Sequence, residues 1–211
     1  MLVHPWDAPL DDTEWREWLG RQDFGQLIAP GDGRDLPVVV PTHFLYDDGA
    51  EAVRLHLARP NPVWAALIER PRALLTVVGD YTYIPSAWGA APGTPTELGV
   101  PTSYYATVQL ACDARIVDDP GEKSEILSRQ LGHHEPGGGY LDPDPAHEHF
   151  RRRLPGIRGL VLRVTGVRAK FKYAGNKEPD HREVLARRLV ERDGPADARA
   201  REHLLRRHRA R

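Results

Sequence analysis

The stretch RLHLARPNPVWAAL, residues 54–67, begins as a strand and ends as a helix, and the fold turns on how it is read. Leu55 and Leu57, with Val53 before them, fall on one side of an extended chain, while Arg54, His56 and Ala58 fall on the other. Asn61 is a helix N-cap residue and Pro62 suits the first helical position, so a short helix opens over NPVWAALIER and Pro71 ends it. A strand that passes directly into a helix leaves three polar side chains at the junction: His56, Arg59 and Asn61.

Outward from this junction the chain reads as mostly strand. Upstream, LPVVVPTHFLY (36–46) is β-rich, with Leu36, Val38, Val40, Thr42, Phe44 and Tyr46 on one face, and Pro37 and Pro41 mark an irregular edge. DDGAE connects it to the next strand as a hairpin, and QLIAP before it is a further strand. Asp11 with Glu14 forms a capping box for an N-terminal helix carrying Trp15, Trp18 and Leu19. Downstream, ALLTVV and YTYI read as two strand segments flanking Gly79-Asp80, followed by a long Pro/Gly loop from Pro85 to Ser103. ATVQLACDARIV alternates cleanly. Asp118 or Asp119 caps a helix from Pro120 to Leu131, HHEPGGGYLDPDP is a loop, and HEHFRRRL is a short helix. In GLVLRVTGVRAKFKY the apolar phase passes from Leu160, Leu162 and Val164 to Val167, Ala169, Phe171 and Tyr173, so a strand pair with a bulge or bend at Thr165-Gly166 is expected. Asp180 and Glu183 form a second capping box for a helix with Val184, Leu185, Leu189 and Val190. Strands joined by hairpins, with helices at the start, middle and end and no repeated βαβ alternation, point to a mainly β, antiparallel barrel or sandwich.

Composition limits the function classes. Among 211 residues, 40% are hydrophobic and 28% charged, and the formal net charge of −1 gives no global field for nucleic acid or an acidic membrane. The single cysteine, Cys112, excludes an internal disulfide and fits a reducing compartment. With no leader-like start and no long apolar run, the chain reads as cytoplasmic with no membrane partner. Of the 29 basic residues only Lys123, Lys170, Lys172 and Lys177 are lysine, a skew that discounts the arginine runs as binding signals. His133-His134 and His147-Glu148-His149 lack the spacing of a zinc motif and read as polar loop histidines, so no metal is expected. The ladder Arg168, Lys170, Lys172 is either a solvated strand face or, with His56, Arg59 and Asn61, a convergent anion site. The C-terminal arginines Arg199, Arg201, Arg206, Arg207, Arg209 and Arg211 read as a solvated helix end, with sequence-independent nucleic-acid binding as the sharper alternative.

Four ordered segments, LHLARPNPVW, YIPSAW, VPTSYY and KFKYAGNK followed by DHREV, resemble the PaiB-like FMN-binding negative transcriptional regulators over roughly residues 1–190. The resemblance implies an FMN-binding split β-barrel of the flavin reductase and pyridoxamine phosphate oxidase type, spanning 1–178, with a C-terminal helical extension over 179–211. It also implies a homodimer with FMN between subunits. Carried onto this chain, Val38, Val39 and Val40 with Thr42 and His43 would lie along the isoalloxazine, and His56, Arg59 and Asn61 would approach the phosphate. Tyr83, Ser86, Trp88 and Thr102 would border the pocket, and Lys170, Lys172 and Asn176 would close it, acting across the dimer. The chain departs from the family at Ser103-Tyr104, where Trp-Asn is usual, and at Ala174-Gly175, where Ser-Gln is usual. These changes bear on which flavin is held. The alternative function is a flavin- or deazaflavin-dependent oxidoreductase. Direct contact with DNA is supported by no helix-turn-helix.

Overall fold

The structure is a computed structural model that describes residues 1–91 and 93–209, with side chains through residue 206. Arg211 and the side chains of Arg207 and Arg209 lie outside the described residues. The order of elements is α1 (Asp12–Leu19), β1 (Phe24–Ala29), β2 (Val38–His43), β3 (Leu45–Asp47), β4 (Ala52–Ala58), α2 (Val63–Glu69), β5 (Arg72–Ile84), α3 (Ser86–Gly89), β6 (Thr102–Val117), α4 (Pro120–His134), α5 (Glu148–Arg153), β7 (Ile157–Lys172), α6 (Pro179–Arg192) and α7 (Asp197–Arg209). Seven strands follow the order β2-β1-β5-β6-β7-β4-β3, and the fold is a mainly antiparallel split barrel with flanking helices, as the sequence pattern and the resemblance led us to expect. By contacts the chain divides into two compact units. One comprises residues 16–77 and 109–167, the other residues 1–15, 78–108 and 168–211.

In the first unit, β1 pairs with β2 from Phe24↔His43 to Ala29↔Val38, and β4 pairs with β7 from Ala52↔Arg163 to Ala58↔Ile157. Leu27, Phe44, Val53, Leu55, Leu75, Leu110, Leu160 and Leu162 are fully buried, whereas Leu36, placed on the Phe44 face by the alternation, is exposed. Strands β2 and β4 also come together at His43 and His56, whose rings are 5.3 Å apart. The β4-to-α2 junction forms as its sequence dictates. Asn61 Oδ1 accepts the Val63 amide at 3.0 Å, so it caps α2 even though the regular helix starts at Val63, one residue later than expected. The Trp64 indole then donates to the Ala58 carbonyl at 2.9 Å and locks helix to strand. Burying an aromatic ring of this kind contributes about 1.5–3 kcal/mol, and Trp64 is almost wholly buried.

In the second unit, α6 and α7 pack on each other and on the end of β5. Leu185, Ala186 and Leu189 of α6 are buried, as are Ala200 and Leu204 of α7. Arg192 ties the corner. Its guanidinium donates to both Asp197 carboxylate oxygens (2.7 and 2.6 Å), to Thr82 Oγ1 (2.6 Å) and to the Tyr83 carbonyl (2.6 Å). Asp197 also accepts from Thr82 and from the Gly194 amide, so a buried carboxylate has every lone-pair direction used.

Several elements differ from the sequence reading. ALLTVVGDYTYI lies in one continuous strand, not two, with Asp80 in a left-handed conformation (φ 52°) inside it. Asp80 is held there from outside the strand: its carbonyl accepts the Tyr173 hydroxyl at 3.1 Å and its carboxylate pairs with His203 at 2.8 Å. β7 is likewise one strand, and the expected change of phase occurs within it, with Leu160 and Leu162 buried before Thr165-Gly166 and Ala169, Phe171 and Tyr173 buried after. Helix α4 continues through His133 and His134. The second capping box does not form. Helix α6 starts at Pro179 with Glu178 at its N-cap and no side-chain cap bond, because proline already fits the first helical position. The first box is half realised: Asp11 accepts the Glu14 amide at 2.9 Å, but Glu14 reaches back to the Leu10 amide.

The Arg192 hub yields a stability test. Hydrogen bonding from Arg192 holds the Asp197 carboxyl down to about 2. A folded-state value below the unfolded one means that the contribution is complete above the ordinary carboxylate range and is lost as pH falls from about 4 towards 2. Asp197→Asn is expected to lower unfolding free energy at neutral pH by about 1.5–3 kcal/mol, the range for hydrogen bonds to charged groups. In urea titrations at pH 7 and pH 3, the difference between variant and parent should shrink at the lower pH.

Candidate functional site

The residues singled out in the sequence fall into two groups. In the first unit, Val39 and Val40 lie on β2 with Val39 about half exposed, and Thr42 is buried with its hydroxyl donating to the His43 carbonyl at 3.0 Å. His43 ends β2 and meets two other imidazoles, His56 at 5.3 Å and His134 at 5.6 Å between ring centroids. Burial first, and then the neighbouring His56 and His134, hold the His43 imidazole below its ordinary value, against an opposing pull from Asp23. His56 Nδ1 and the Gln130 side-chain amide lie in hydrogen-bonding contact at 2.6 Å. Arg59 is engaged within the protein: Nε donates to the Pro155 carbonyl (2.6 Å) and an Nη to Asp118 (2.8 Å). Arg59 therefore ties the β4–α2 junction to the chain around Asp118 and Pro155, and Asn61 spends its oxygen on the helix cap.

In the second unit, Thr102, Lys170, Lys172 and Asn176 line one cavity of about 390 Å³. Lys172 Nζ donates to Thr102 Oγ1 at 2.7 Å. Lys170 is buried, with its ammonium 3.6 Å from the Asp7 carboxylate and 3.0 Å from the Leu2 carbonyl. Lys177 lines the same cavity and reaches the Gly89 carbonyl at 3.4 Å. Three ammonium groups face one carboxylate here. Such a surplus of donors in a partly desolvated pocket suits a phosphate-bearing ligand. Tyr83, Ser86 and Trp88 stand elsewhere in this unit: Arg192 donates to the Tyr83 carbonyl, its guanidinium lies 4.7 Å from the Trp88 ring centre, and His181 Nε2 contacts the Trp88 carbonyl at 2.8 Å.

The sequence reading missed the N-terminal wall of the cavity. His4 and Trp6 line it with their rings stacked at 4.6 Å and 10°, a flat aromatic pair, and Asp7 supplies its one carboxylate. No local pattern joins residues 4–7 to Lys170, because the contact spans most of the chain. The departures from the family pattern also acquire physical content. Tyr104 is buried beside the cavity with its ring edge-on to Tyr173 at 5.9 Å. Ala174 takes a left-handed conformation (φ 54°), and Gly175 passes so close to the Trp6 carbonyl that any side chain there would collide with it. The Ala174-Gly175 pair is what lets the N-terminal segment close onto the pocket.

Another group lay outside the residues expected to act. Asp23, His133 and His134 place one ligand atom each within 4.8 Å of one another. His133 and His134 belong to the last turn of α4 rather than to a loop, and Asp23 directly precedes β1.

Residues 1–166 match the family described as "Putative FMN-binding domain". Among curated proteins none matches the sequence. The fold is similar to that of the flavocytochrome Anf3 from Azotobacter vinelandii, at 21% identity and a TM-score of 0.60 over 79% of this chain and 70% of that one. It is also similar to a conserved hypothetical protein from Mycobacterium tuberculosis (14% identity, TM-score 0.55, 81% and 90% covered) and to a FAD and heme binding protein from Mycobacterium smegmatis (15%, 0.54, 77% and 72%). At these identities the likeness concerns the fold. With the match covering most of its length, the chain belongs to the FMN-binding domain family, and FMN is its cofactor.

Proposed function

We propose that the lysine-lined cavity receives the phosphate end of FMN and that the chain works as a PaiB-type, FMN-binding split-barrel protein. The observation that carries the reading is the convergence of Lys170, Lys172 and Lys177 with Thr102 and Asn176 on one cavity. Lys172 and Thr102 are already oriented by their mutual bond, so little side-chain entropy is lost when a phosphate oxygen arrives. Asp7 offsets Lys170, leaving Lys172 and Lys177 to meet the anion, and the His4–Trp6 stack offers a flat face for an aromatic ring. FMN, when bound, supplies reversible one- and two-electron redox chemistry. The chain's own groups bind, orient and shield it.

A homodimer is part of this proposal. Val78, Tyr81 and Tyr83 on β5 are each more than half exposed, apolar surface suited to a second copy. Repression of transcription, the role implied by the PaiB resemblance, would then proceed through the flavin state or through a partner, with DNA contact by the C-terminal arginines as the less favoured route. A cytoplasmic setting agrees with Cys112, whose thiol is fully buried and pushed up to about 12 by burial and by Asp113, and so stays reduced and inert. No helix among the described residues is long and apolar enough to cross a membrane. The oxidoreductase reading rests on the family's cofactor, and it requires that NADH or NADPH reduce the bound flavin.

Flavin fluorescence titrations test the site. Lys172→Ala is expected to weaken FMN binding by about 1.5–3 kcal/mol, as expected for loss of a charged hydrogen-bond donor, and riboflavin, which lacks the phosphate, should bind parent and variant alike. Arg59→Ala is expected to lower thermal stability and to cost less FMN affinity than Lys172→Ala; the reverse order would move the phosphate to the β4–α2 junction. Equilibrium sedimentation of the FMN-loaded protein should give twice the mass of one chain, and a Tyr81→Glu, Tyr83→Glu variant should give the mass of one.

A further inference from the structure

We propose that Asp23, His133 and His134 form a zinc-class divalent metal site, a function separate from the flavin cavity. Asp23 Oδ2 lies 3.5 Å from His133 Nε2 and 3.7 Å from His134 Nδ1. Zinc bonds of about 2.0–2.1 Å at tetrahedral angles put neighbouring ligand atoms roughly 3.3–3.4 Å apart. Two of the three edges therefore match a coordination polyhedron almost without movement, and the third is within 4.8 Å. Adjacent histidines on a helix normally point apart. Here they converge because they use different ring nitrogens, Nε2 of His133 and Nδ1 of His134, with the rings nearly perpendicular at 84° and 4.9 Å apart. The pair sits in the last turn of α4, where the carbonyl end of the helix favours positive charge.

The scaffold that holds the three residues is well determined by its own bonds. Asp23 is fixed by its carbonyl, which accepts the Phe44 amide at 2.8 Å, and by the Phe24↔His43 pairing that follows it. Helix α4 is fixed against β4 by the Gln130–His56 bond. All three ligands are partly exposed, with 35–48% of each side chain reachable, so an ion can enter from solvent. Three protein ligands of the His/His/carboxylate type leave a fourth position for water or for a small donor. An ion pair between Asp23 and protonated histidines is the competing account of the same geometry. It predicts no metal affinity.

The test is zinc titration of untagged full-length protein against a chromophoric chelator, with thermal unfolding followed in parallel. The expected result is one zinc per chain and a rise in melting temperature with zinc. Asp23→Asn, His133→Ala and His134→Ala should each weaken zinc binding by about tenfold or more, since even outer-shell changes cost 10–100-fold, while His149→Ala, a surface histidine on α5, leaves it unchanged. Their melting temperatures without zinc report whether each variant folds. Failure of the parent protein to retain zinc against the chelator, or equal retention by the three folded ligand variants, would overturn the proposal.

Discussion

The alternation of Ala169, Phe171 and Tyr173 with Lys170 and Lys172 at the end of β7 is the constraint on which the lysine pocket depends. A strand presents alternate residues to opposite sides, so where Ala169, Phe171 and Tyr173 are buried, Lys170 and Lys172 fall on the other side. There they line one cavity with Thr102, Asp7 and the His4–Trp6 stack. The pocket thus rests on a short run of strand in which apolar and basic residues alternate.

The same economy governs Asp80 and Arg192. Asp80 holds a left-handed backbone inside β5, which disfavours any residue with a side chain, and that cost is offset by Tyr173 and His203 binding it from two other elements. Arg192 gathers Asp197, Thr82 and the Tyr83 carbonyl while stacking on Trp88, so α6 helps to position the YIPSAW segment, which also carries its own short helix α3.

These features separate what the sequence discloses from what it hides. The alternation in residues 54–58, the Asn61 cap and the phase change in β7 are local signals, each written within a few residues, and all three appear in the structure. Gly79-Asp80 reads as a turn in sequence, while Tyr173 and His203, more than 90 residues away, bind Asp80 within β5. The pocket's N-terminal wall and the meeting of Asp23 with His133 and His134 are likewise contacts across the chain, with no periodicity to betray them. Arg59 carries the same lesson: its partners Asp118 and the Pro155 carbonyl come from distant sequence, and no local pattern announces them.

The central claim is that the FMN phosphate is held by the lysines that line this cavity. A crystal structure of the protein grown with FMN tests it most directly. The account predicts phosphate oxygens within hydrogen-bonding distance of Lys172 Nζ and Thr102 Oγ1. A phosphate seated instead on Arg59 and the start of α2, with the lysine cavity filled by solvent, would contradict it.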